Sequence, residues 1–400
     1  MAVSIPAIVE PSVLRWARET IDLSDVAAAR KLGLADDRVR QWEAGEASPT
    51  VAQLKKAAEL YRRSLGVFFL PAPPEGFDTL RNFRLIVGAD EQAWSPALHA
   101  DYRRAHAQRD NVLELAEIDD VAPSTVWRLH SLPEDDEVLA ARARTNLLAQ
   151  APLPLPRGSG TVYDHLNAWV AALEAAGVLV MTTAGGRVET SEMRGFSLYF
   201  DTVPVIMVNG ADAARGRLFS LLHEYAHLLL HTGGLCDTVT ESRPTTPDRQ
   251  LEARCNAIAA AILMPRADVL AHPEVIARRT DPEGWDYDSL AAAAAPFGTS
   301  AEAMLRRLLT FGRVTQTFYR ARRQEFQARY ERDELGDRPP GGNWYRNKVR
   351  DLGRGYVRLV ADAHRRRVID SYTASLFLDA KVDQIPRLAQ TAALQRGQSR

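Results

Sequence analysis

The chain has 400 residues, more than one hydrophobic core usually serves, so its length predicts roughly two to four domains. Hydrophobic residues make up 46% and charged residues 25% of it, which excludes a disordered or fibrous protein. The net charge of −1 conceals a basic end, because residues 301–400 hold 21 Lys or Arg and 11 Asp or Glu. Nucleic acid or an acidic partner would bind there, and simple solvation of helix faces is the open alternative.

Cysteine content and the absence of targeting segments bear on the compartment. Cys236 and Cys255 are the two cysteines, which is not the pattern of a secreted disulfide-rich protein. The N-terminal residues lack the basic and apolar parts of a signal peptide, and the longest apolar stretch, 168–182, is too short to span a bilayer. We therefore expect a cytoplasmic protein without membrane contact.

Short helices separated by turns are predicted for the N-terminal part. Ser24 precedes an alanine-rich segment that Gly33 ends, a second segment covers 36–42, and a third helix covers 51–63. Short helices joined by a glycine-containing turn indicate a helix-turn-helix. A run of prolines then places a domain boundary near residue 75.

The middle of the chain alternates helix and strand. Residues 92–120 are predicted to be helical, the proline-rich segment 151–160 indicates a linker, and a helix over 162–176 leads to a strand over 178–182. Two further strands are predicted over 195–200 and 204–208, and together they would form a hairpin. We expect this hairpin to offer an edge strand to an extended substrate.

The remainder, beyond residue 280, is predicted to be mostly helical, with a break at 339–342 between two basic helical stretches. The alanine run 291–295 reads as part of one helix. No long internal repeat is visible in the sequence.

A histidine pair on one helix carries the predicted chemistry. The segment 217–231 has helical apolar character, and His223 and His227, four residues apart, lie on one helical face. Both imidazoles can therefore reach one zinc ion, and Glu224 can polarise a zinc-bound water. The open alternative is a helix whose histidines only pair with carboxylates near a core.

A second helix offers the third ligand that such a zinc site needs. Glu252 and Asn256 share one face of the predicted helix 251–264, so Glu252 can bind the metal and Asn256 can hold a ligand histidine by its ring N–H. Zinc is the expected ion, with another divalent transition metal as the alternative.

Competing ligands rank lower. Gly233 stands ten residues after His223, where a metzincin has its third histidine, so that subclass is excluded. His231 lies about 12 Å along the helix axis from His223, which is too far for the two side chains to share one metal ion comfortably. Three residues of the following connection lack a helical position and are weaker alternatives: Cys236, Glu241 and Asp248.

The predicted reaction is amide hydrolysis. Zinc lowers the pKa of its bound water, Glu224 takes the proton, and Glu224 later passes it to the leaving amine.

These motifs resemble the ImmA/IrrE family of metallo-endopeptidases. The likeness covers about residues 160–310 and rests on Gly195-Phe-Ser-Leu-Tyr, Pro204-Val-Ile-Met-Val-Asn209, the histidine helix and Glu252-Ala-Arg-Cys-Asn256. It implies that His223, His227 and Glu252 bind the metal and that Glu224 is catalytic. It also implies a helix-turn-helix repressor as the cleaved protein, in mobile-element induction or stress response.

The N-terminal part resembles the Xre-type helix-turn-helix that often precedes this peptidase. The resemblance rests on Arg40-Gln-Trp-Glu-Ala-Gly45 and the helix after it, and it implies DNA binding through residues 24–63. Arg38, Arg40 and Gln41 are the candidate DNA-contacting residues.

The charge of the N-terminal part predicts only weak attraction to DNA phosphates. Residues 1–70 carry 10 basic and 9 acidic groups, and four acidic residues flank the candidate side chains: Asp36, Asp37, Glu43 and Glu46. A bundle that docks protein is therefore the alternative. Trp42 and Leu54 are predicted to be core residues.

The predicted fold class is α+β and multi-domain, with four parts: a helix-turn-helix domain (1–75), a helical connection (76–155), a zincin-like α+β peptidase domain (156–280) and a helical basic C-terminal region (281–400). The leading hypothesis is a zinc endopeptidase that cleaves a regulatory protein. Two alternatives stay open, namely a DNA-binding regulator whose metal site is structural or inactive, and a zinc hydrolase that is not a peptidase.

Overall fold

The computed structural model describes residues 6–393 apart from 22, 62, 64, 74–93, 130–134, 157–159, 232–233, 237–246 and 336–341. Contacts divide the chain into two compact units, Met1–His106 and Ala107–Arg400. The boundary predicted near residue 75 and the breaks at 157–159 and 339–341 fall outside the described residues. The four-part domain division stays a prediction.

The first unit is built from short capped helices: α1 (Pro11–Glu19), α2 (Asp25–Leu32), α3 (Arg38–Glu43) and α4 (Val51–Leu60). The Ser24 side chain accepts the N–H of Ala27 at the start of α2, and Gly33 ends α2 in the left-handed region at φ 71°. Both were predicted from the sequence and are confirmed. A capping box between Thr50 and Gln53 begins α4.

The core of the first unit confirms that Trp42 and Leu54 are interior residues, since both are buried. Glu43 is buried as well, and Arg18 donates to its two carboxylate oxygens at 2.7 Å each. Glu43 was counted from the sequence among the acidic groups flanking the DNA-contacting residues, and that placement was wrong. Its charge is neutralised by Arg18 inside the bundle, so it does not repel phosphate at the surface.

Helix α5 (Pro96–Ile118) spans the division between the units. The second unit contains thirteen more α-helices among its described residues. In chain order they are α6 (Asp136–Gln150), α7 (Val162–Ala175), α8 (Ala214–Leu229), α9 (Pro247–Leu263), α10 (Arg266–Leu270), α11 (Pro273–Ala277), α12 (Tyr287–Ala294), α13 (Ala301–Thr310), α14 (Gln316–Leu335), α15 (Trp344–Leu352), α16 (Arg354–Arg365), α17 (Ser371–Leu378) and α18 (Ile385–Ala393).

One small sheet lies in the second unit, with strands β1 (Leu179–Thr182), β2 (Gly195–Leu198), β3 (Val205–Val208) and β4 (Gly234–Cys236) in the order β1-β3-β2-β4. Strands β2 and β3 are antiparallel, with Gly195 opposite Val208, which confirms the predicted hairpin. Strand β1 runs parallel to β3.

The sequence did not predict β4, and this strand changes the expected substrate edge. β4 pairs antiparallel with β2, so β2 is an inner strand and β4 forms that edge of the described sheet. The expectation that the hairpin itself presents a free edge was therefore wrong. The backbone groups of β2 that would bind an extended peptide are already bonded to β4.

Helix α8 runs through the centre of the second unit. Its apolar residues are buried around its whole circumference, because α7, α9 and strands β2 and β3 all pack against it. The same core includes residues from α6, α12, α13 and α14, so one hydrophobic cluster surrounds the histidine helix. Such complete burial fixes the side chains of α8 in position.

The last helices pack on the sheet through β1. Helices α15 and α16 contact β1, and the carboxylate of Glu174, at the end of α7, accepts the N–H of Gly355 at 2.7 Å. Gly353 has φ 90°, and a Cβ there would lie 2.2 Å from the carbonyl oxygen of Val180. A glycine is required because the start of α16 approaches the backbone of β1 so closely.

The predicted multi-domain α+β fold class is confirmed by the four helices of the first unit and the helix-and-sheet layout of the second. Among the described residues, no helix is both long enough and apolar enough to cross a membrane.

The buried Glu174 predicts a pH dependence of stability. Burial raises its pKa from 4.5 to about 6, although the Gly355 N–H and the charges of Arg358 and Arg354 act against the rise. The folded state therefore binds more protons than the unfolded state between these values, and this group removes about 2 kcal/mol of stability as pH rises from below 4.5 to above 6.

Glu174→Gln keeps an acceptor for Gly355 and abolishes this titration. We expect the free energy of unfolding of the variant, relative to wild type, to increase by about 2 kcal/mol between pH 4.5 and 6.5. Urea unfolding at pH values across this range measures the difference. A constant difference between the two proteins would contradict the assignment.

Candidate metal centre

Two helices bring the predicted metal ligands together. His223 and His227 lie one turn apart on α8, and both side chains are buried. Glu252 lies on α9, which packs along α8. The three side chains form a group of possible metal ligands whose donor atoms all lie within 4.8 Å of one another.

The distances within this group suit a small divalent ion. The Nε2 atoms of His223 and His227 are 3.1 Å apart, and each is 3.2 Å from one carboxylate oxygen of Glu252. Ligands about 2.0–2.1 Å from a tetrahedral zinc ion are about 3.3 Å from each other. His223 faces Oε2 and His227 faces Oε1 of Glu252, so the two imidazoles and the carboxylate are close enough together to hold one ion between them.

Charge supports the same interpretation. Burial alone would raise the pKa of Glu252, but hydrogen bonds and charges from His223 and His227 outweigh it and lower this pKa to about 2. The group is thus a carboxylate, which is the form that binds a metal. Two imidazoles and one carboxylate form a mixed nitrogen and oxygen donor set that suits zinc and other divalent transition metals.

Glu224 is held on the sheet side of α8. Its side chain is fully buried, and the hydroxyl of Ser197 on β2 donates to its Oε2 at 2.9 Å. Its Oε1 has no hydrogen-bond partner among the described residues. Burial is the largest influence on the pKa of Glu224 and raises it, while the nearby histidines and Ser197 act in the opposite direction.

A raised pKa and one unbonded carboxylate oxygen are properties expected of a general base. Such a group is efficient when its pKa lies closer to the working pH than that of a solvated carboxyl. The charges of His227 and His223 lower the pKa of Glu224 against the effect of burial, so this carboxylate lies near the ligand group. The arrangement can therefore move a proton beside a bound metal.

Gly195 makes room for Glu224. A Cβ at this position of β2 would lie 3.0 Å from Oε1 and 3.1 Å from Cγ of Glu224, and 3.2 Å from the carbonyl oxygen of Met207. These distances are shorter than ordinary contacts of a methyl group. Gly195 and Ser197, two residues apart and on one face of β2, thus form the seat of the Glu224 carboxylate.

Other predicted residues lie around the group. His231 follows the end of α8 with φ 57°, and its ring stacks on Tyr199, whose hydroxyl is 3.1 Å from its Nδ1. His231 is therefore outside the ligand group. The side chains of the weaker alternatives, Cys236, Glu241 and Asp248, lie outside the described part of the chain.

The role predicted for Asn256 stays a prediction. Asn256 is half-buried on α9. The His227 ring contacts the Glu252 carboxylate, the His223 ring and the neighbouring Cys255. Cys255 is fully buried. Its contact with His227 was not predicted.

The candidate DNA-contacting residues lie on α3. Arg38 and Arg40 are exposed, and Gln41 is half-buried. Arg38 donates to the side-chain oxygen of Gln41 at 3.1 Å, and Gln41 donates to Asp37 at 2.8 Å. The three side chains share the outer surface of α3, while Trp42 anchors its inner face.

Two family models match parts of the chain. Residues 173–309 match the IrrE N-terminal-like domain of peptidase M78, and residues 14–68 match a helix-turn-helix. The comparison with curated proteins gives no match.

The two matches confirm the resemblance inferred from the motifs. The M78 family is a family of metallopeptidases, so a metallopeptidase-type hydrolase is joined here to a domain of the DNA-binding, transcription-regulating type. The ligand group lies entirely within the matched peptidase segment, as do Glu224 and its seat on β2.

Ser197 and Gly195 were part of the motif that carried the resemblance, but no role was predicted for them. The available signal was a serine in an otherwise apolar strand, since a buried hydroxyl needs a hydrogen-bond partner. The identity of that partner depended on the packing of β2 against α8.

Metal binding should depend on His227 and not on His231. We expect His227→Ala to lower zinc affinity by more than the about 10- to 100-fold that is typical when a residue only orients a ligand. His231→Ala is the matched control and should retain zinc at wild-type stoichiometry. Zinc content after gel filtration, and titration with a chromophoric chelator, measure both. Equal zinc retention by the two variants would remove His227 from the site.

We expect that a Cβ atom at position 195 does not fit beside Glu224. Gly195→Ala is expected to lower the free energy of unfolding by about 1–3 kcal/mol, because it overpacks the contact with Glu224. Gly66→Ala, where a Cβ meets nothing within 4 Å, is the control. Chemical denaturation measures the cost. In a Glu224→Ala background the cost of Gly195→Ala should fall, and an unchanged cost would show that Glu224 does not set it.

Proposed function

We propose that the protein is a metal-dependent endopeptidase that cleaves a regulatory protein, with a helix-turn-helix repressor as the substrate class. The observation that carries the proposal is the ligand group of His223, His227 and Glu252, whose donor atoms lie within 4.8 Å of one another. The buried Glu224 follows His223 directly in the same helix. The match to a metallopeptidase family supports it.

Zinc is the proposed ion, held by His223, His227 and Glu252, and another divalent transition metal is the alternative. A metal bound there supplies Lewis acidity toward water and toward a peptide carbonyl. The buried position of the two histidines keeps bulk water from their sides and directs their Nε2 atoms to one point.

Glu224 is the proposed catalytic residue. Its free Oε1 takes the proton of the attacking water, while Ser197 holds Oε2 and keeps the carboxylate in one orientation. Glu224 then gives the proton to the leaving amine, which completes amide hydrolysis. Burial raises its pKa, so the protonated form that this second step needs is accessible.

The helix-turn-helix match supports a regulatory role. We propose that α2 and α3 bind DNA, with Arg38, Arg40 and Gln41 at the base edges or phosphates. The neutralisation of Glu43 by Arg18 inside the bundle removes one source of repulsion at this surface. A peptidase that also binds DNA would act close to a repressor on its operator.

The rival function is a DNA-binding regulator whose metal site is structural or inactive. The helix-turn-helix match alone is compatible with it. The buried Glu224 favours the peptidase, because its Oε1, unbonded among the described residues, holds no ligand in place and is free to accept a proton.

Glu224→Gln separates the two functions. The substitution keeps the shape and the bond from Ser197 but removes the base, so we expect unchanged zinc content and a fall in cleavage rate of about 10²–10⁴-fold. Purified helix-turn-helix repressors are the substrates, and cleavage is followed by mass spectrometry. Glu283→Gln, at an exposed glutamate, is the matched control.

Cleavage by wild type and Glu283→Gln but not by Glu224→Gln supports the peptidase. Equal cleavage by all three proteins would exclude Glu224 as the base. Stoichiometric zinc without cleavage of any repressor would favour the structural or inactive site.

A further inference from the structure

The C-terminal helices repeat the backbone of the matched helix-turn-helix. Helix α1 ends at residue 19 and α2 spans 25–32; α16 ends at residue 365 and α17 spans 371–378. Each of these boundaries recurs 346 positions later. In both places a helix, a five-residue connection, an eight-residue helix and a turn lead into a further helix.

The hydrogen bonds repeat at the same spacing. At the start of the eight-residue helix, Ser24 accepts the N–H of Ala27 at 3.2 Å, and Asp370 accepts the N–H of Thr373 at 2.7 Å. The connection before it repeats as well: the bond from the Thr20 N–H to the Trp16 oxygen and the bond from the Arg366 N–H to the Asp362 oxygen both measure 2.9 Å.

The turn that follows α2 and the turn that follows α17 have the same backbone conformation. Gly33 and Asp379 both adopt the left-handed region, with φ 71° and 44°. After each, the next N–H bonds back to the helix, from Leu34 to Ala29 at 2.9 Å and from Ala380 to Ser375 at 3.1 Å. An aspartate tolerates this conformation better than most residues other than glycine.

Buried positions coincide too. Residues 346 positions apart face the interior of each bundle in four pairs: Ala17 and Ala363, Ala28 and Ala374, Val39 and Ile385, and Trp42 and Leu388. The sequence showed no internal repeat because few residue identities recur. The repeat consists of caps, a turn and core positions that different residues satisfy.

We propose that α16, α17 and α18 form a second helix-turn-helix, and that it binds duplex DNA with α18 in the major groove. The proposal rests on the DNA-binding role proposed for α2 and α3, which serve as its template. It does not depend on the peptidase chemistry.

Charge favours DNA as the partner. Residues 344–393 contain 10 Lys or Arg and 5 Asp or Glu, a larger excess than residues 1–70 have. Arg346, Arg367 and Lys381 are exposed and form no ion pair within the described residues. Several of the acidic groups are already engaged, since Asp362 binds Arg365 and Arg366 and Asp379 binds Lys348. The ion pairs occupy other cations of this region, and Arg346, Arg367 and Lys381 remain available for phosphates.

Helix α18 carries side chains that read base edges. The residues 346 positions after Arg38 and Gln41 are Gln384 and Arg387, which directly precede and lie within α18. Glutamine pairs with adenine and arginine with guanine in the major groove. Arg387 is exposed, and its guanidinium lies 4.5 Å from the ring centre of Tyr345, which holds it against the bundle.

A protein partner is the competing class. Tyr372 and Leu376, one turn apart on α17, are 71% and 60% exposed. Tyr372 lies in the first turn of α17, from which helix-turn-helix proteins contact the DNA backbone, and its hydroxyl is a phosphate donor. Leu376 has no such use. The exposed cations without an ion pair in the described part of the chain, Arg346, Arg367 and Lys381, therefore favour DNA over a protein partner.

The test uses the full-length protein and a fluorescein-labelled mixed-sequence duplex of about 30 base pairs, with anisotropy measured between about 50 and 200 mM salt. Lys381→Glu should weaken binding at least tenfold and lower the slope of log affinity against log salt by about 0.9 or more. Arg279→Glu, the same charge change at an exposed residue beyond α11, should bind as wild type.

Lys381→Glu is expected to fold, because an acidic residue is favourable just before a helix start, and circular dichroism checks this. Arg387→Gln is a second variant, which should also weaken binding. The double variant Arg38→Ala/Arg40→Ala reports separately on α3. Duplex binding that falls in this double variant but not in Lys381→Glu and Arg387→Gln overturns the proposal and leaves the function of α3 intact. A fall in the C-terminal variants alone supports the second helix-turn-helix and refutes the first.

Leu376→Ser tests the protein alternative. If it changes the mass measured by light scattering while Lys381→Glu leaves duplex affinity unchanged, the surface belongs to a second copy of the chain and the DNA proposal fails.

Discussion

The second unit depends on the burial of α8 together with three ionisable side chains. The imidazoles of His223 and His227 and the carboxylate of Glu224 lie on a helix that is enclosed on all sides, and unpaired charges in such surroundings are costly. Glu252, carried by α9, faces both histidines at 3.2 Å and compensates for them. The packing of α9 on α8 therefore serves two purposes: it completes the core, and it brings together the donor atoms that fit a metal.

The sheet contributes the other half of the site. Glu224 points at β2, where Gly195 leaves space and Ser197 supplies one hydrogen bond. The strand is fixed on both sides by β3 and β4, so its contact with α8 cannot shift without disturbing the whole sheet. The Glu224 carboxylate is thus held by regular secondary structure, which positions a side chain more accurately than a loop does. On this side the edge of the described sheet is formed by β4.

Local patterns determined much of this protein from the sequence alone. Interactions between residues a few positions apart can be predicted from one sequence. They account for the Ser24 cap, the end of α2 at Gly33, the β2–β3 hairpin and the two metal-site helices. The spacing of His223 and His227 belongs to the same class, because a helix places residues four apart on one face. The length also indicated more than one domain.

Only the tertiary structure decided which distant residues meet. It paired Glu43 with Arg18, joined β4 to β2, seated Glu224 against Gly195 and Ser197, and placed Cys255 beside His227. It also revealed that 354–389 repeats the backbone of the helix-turn-helix. Single-sequence patterns record helices, caps and turns because these are local. Contacts across the core depend on how whole elements pack, and different residues satisfy the same packing, so a repeated bundle leaves almost no repeated letters.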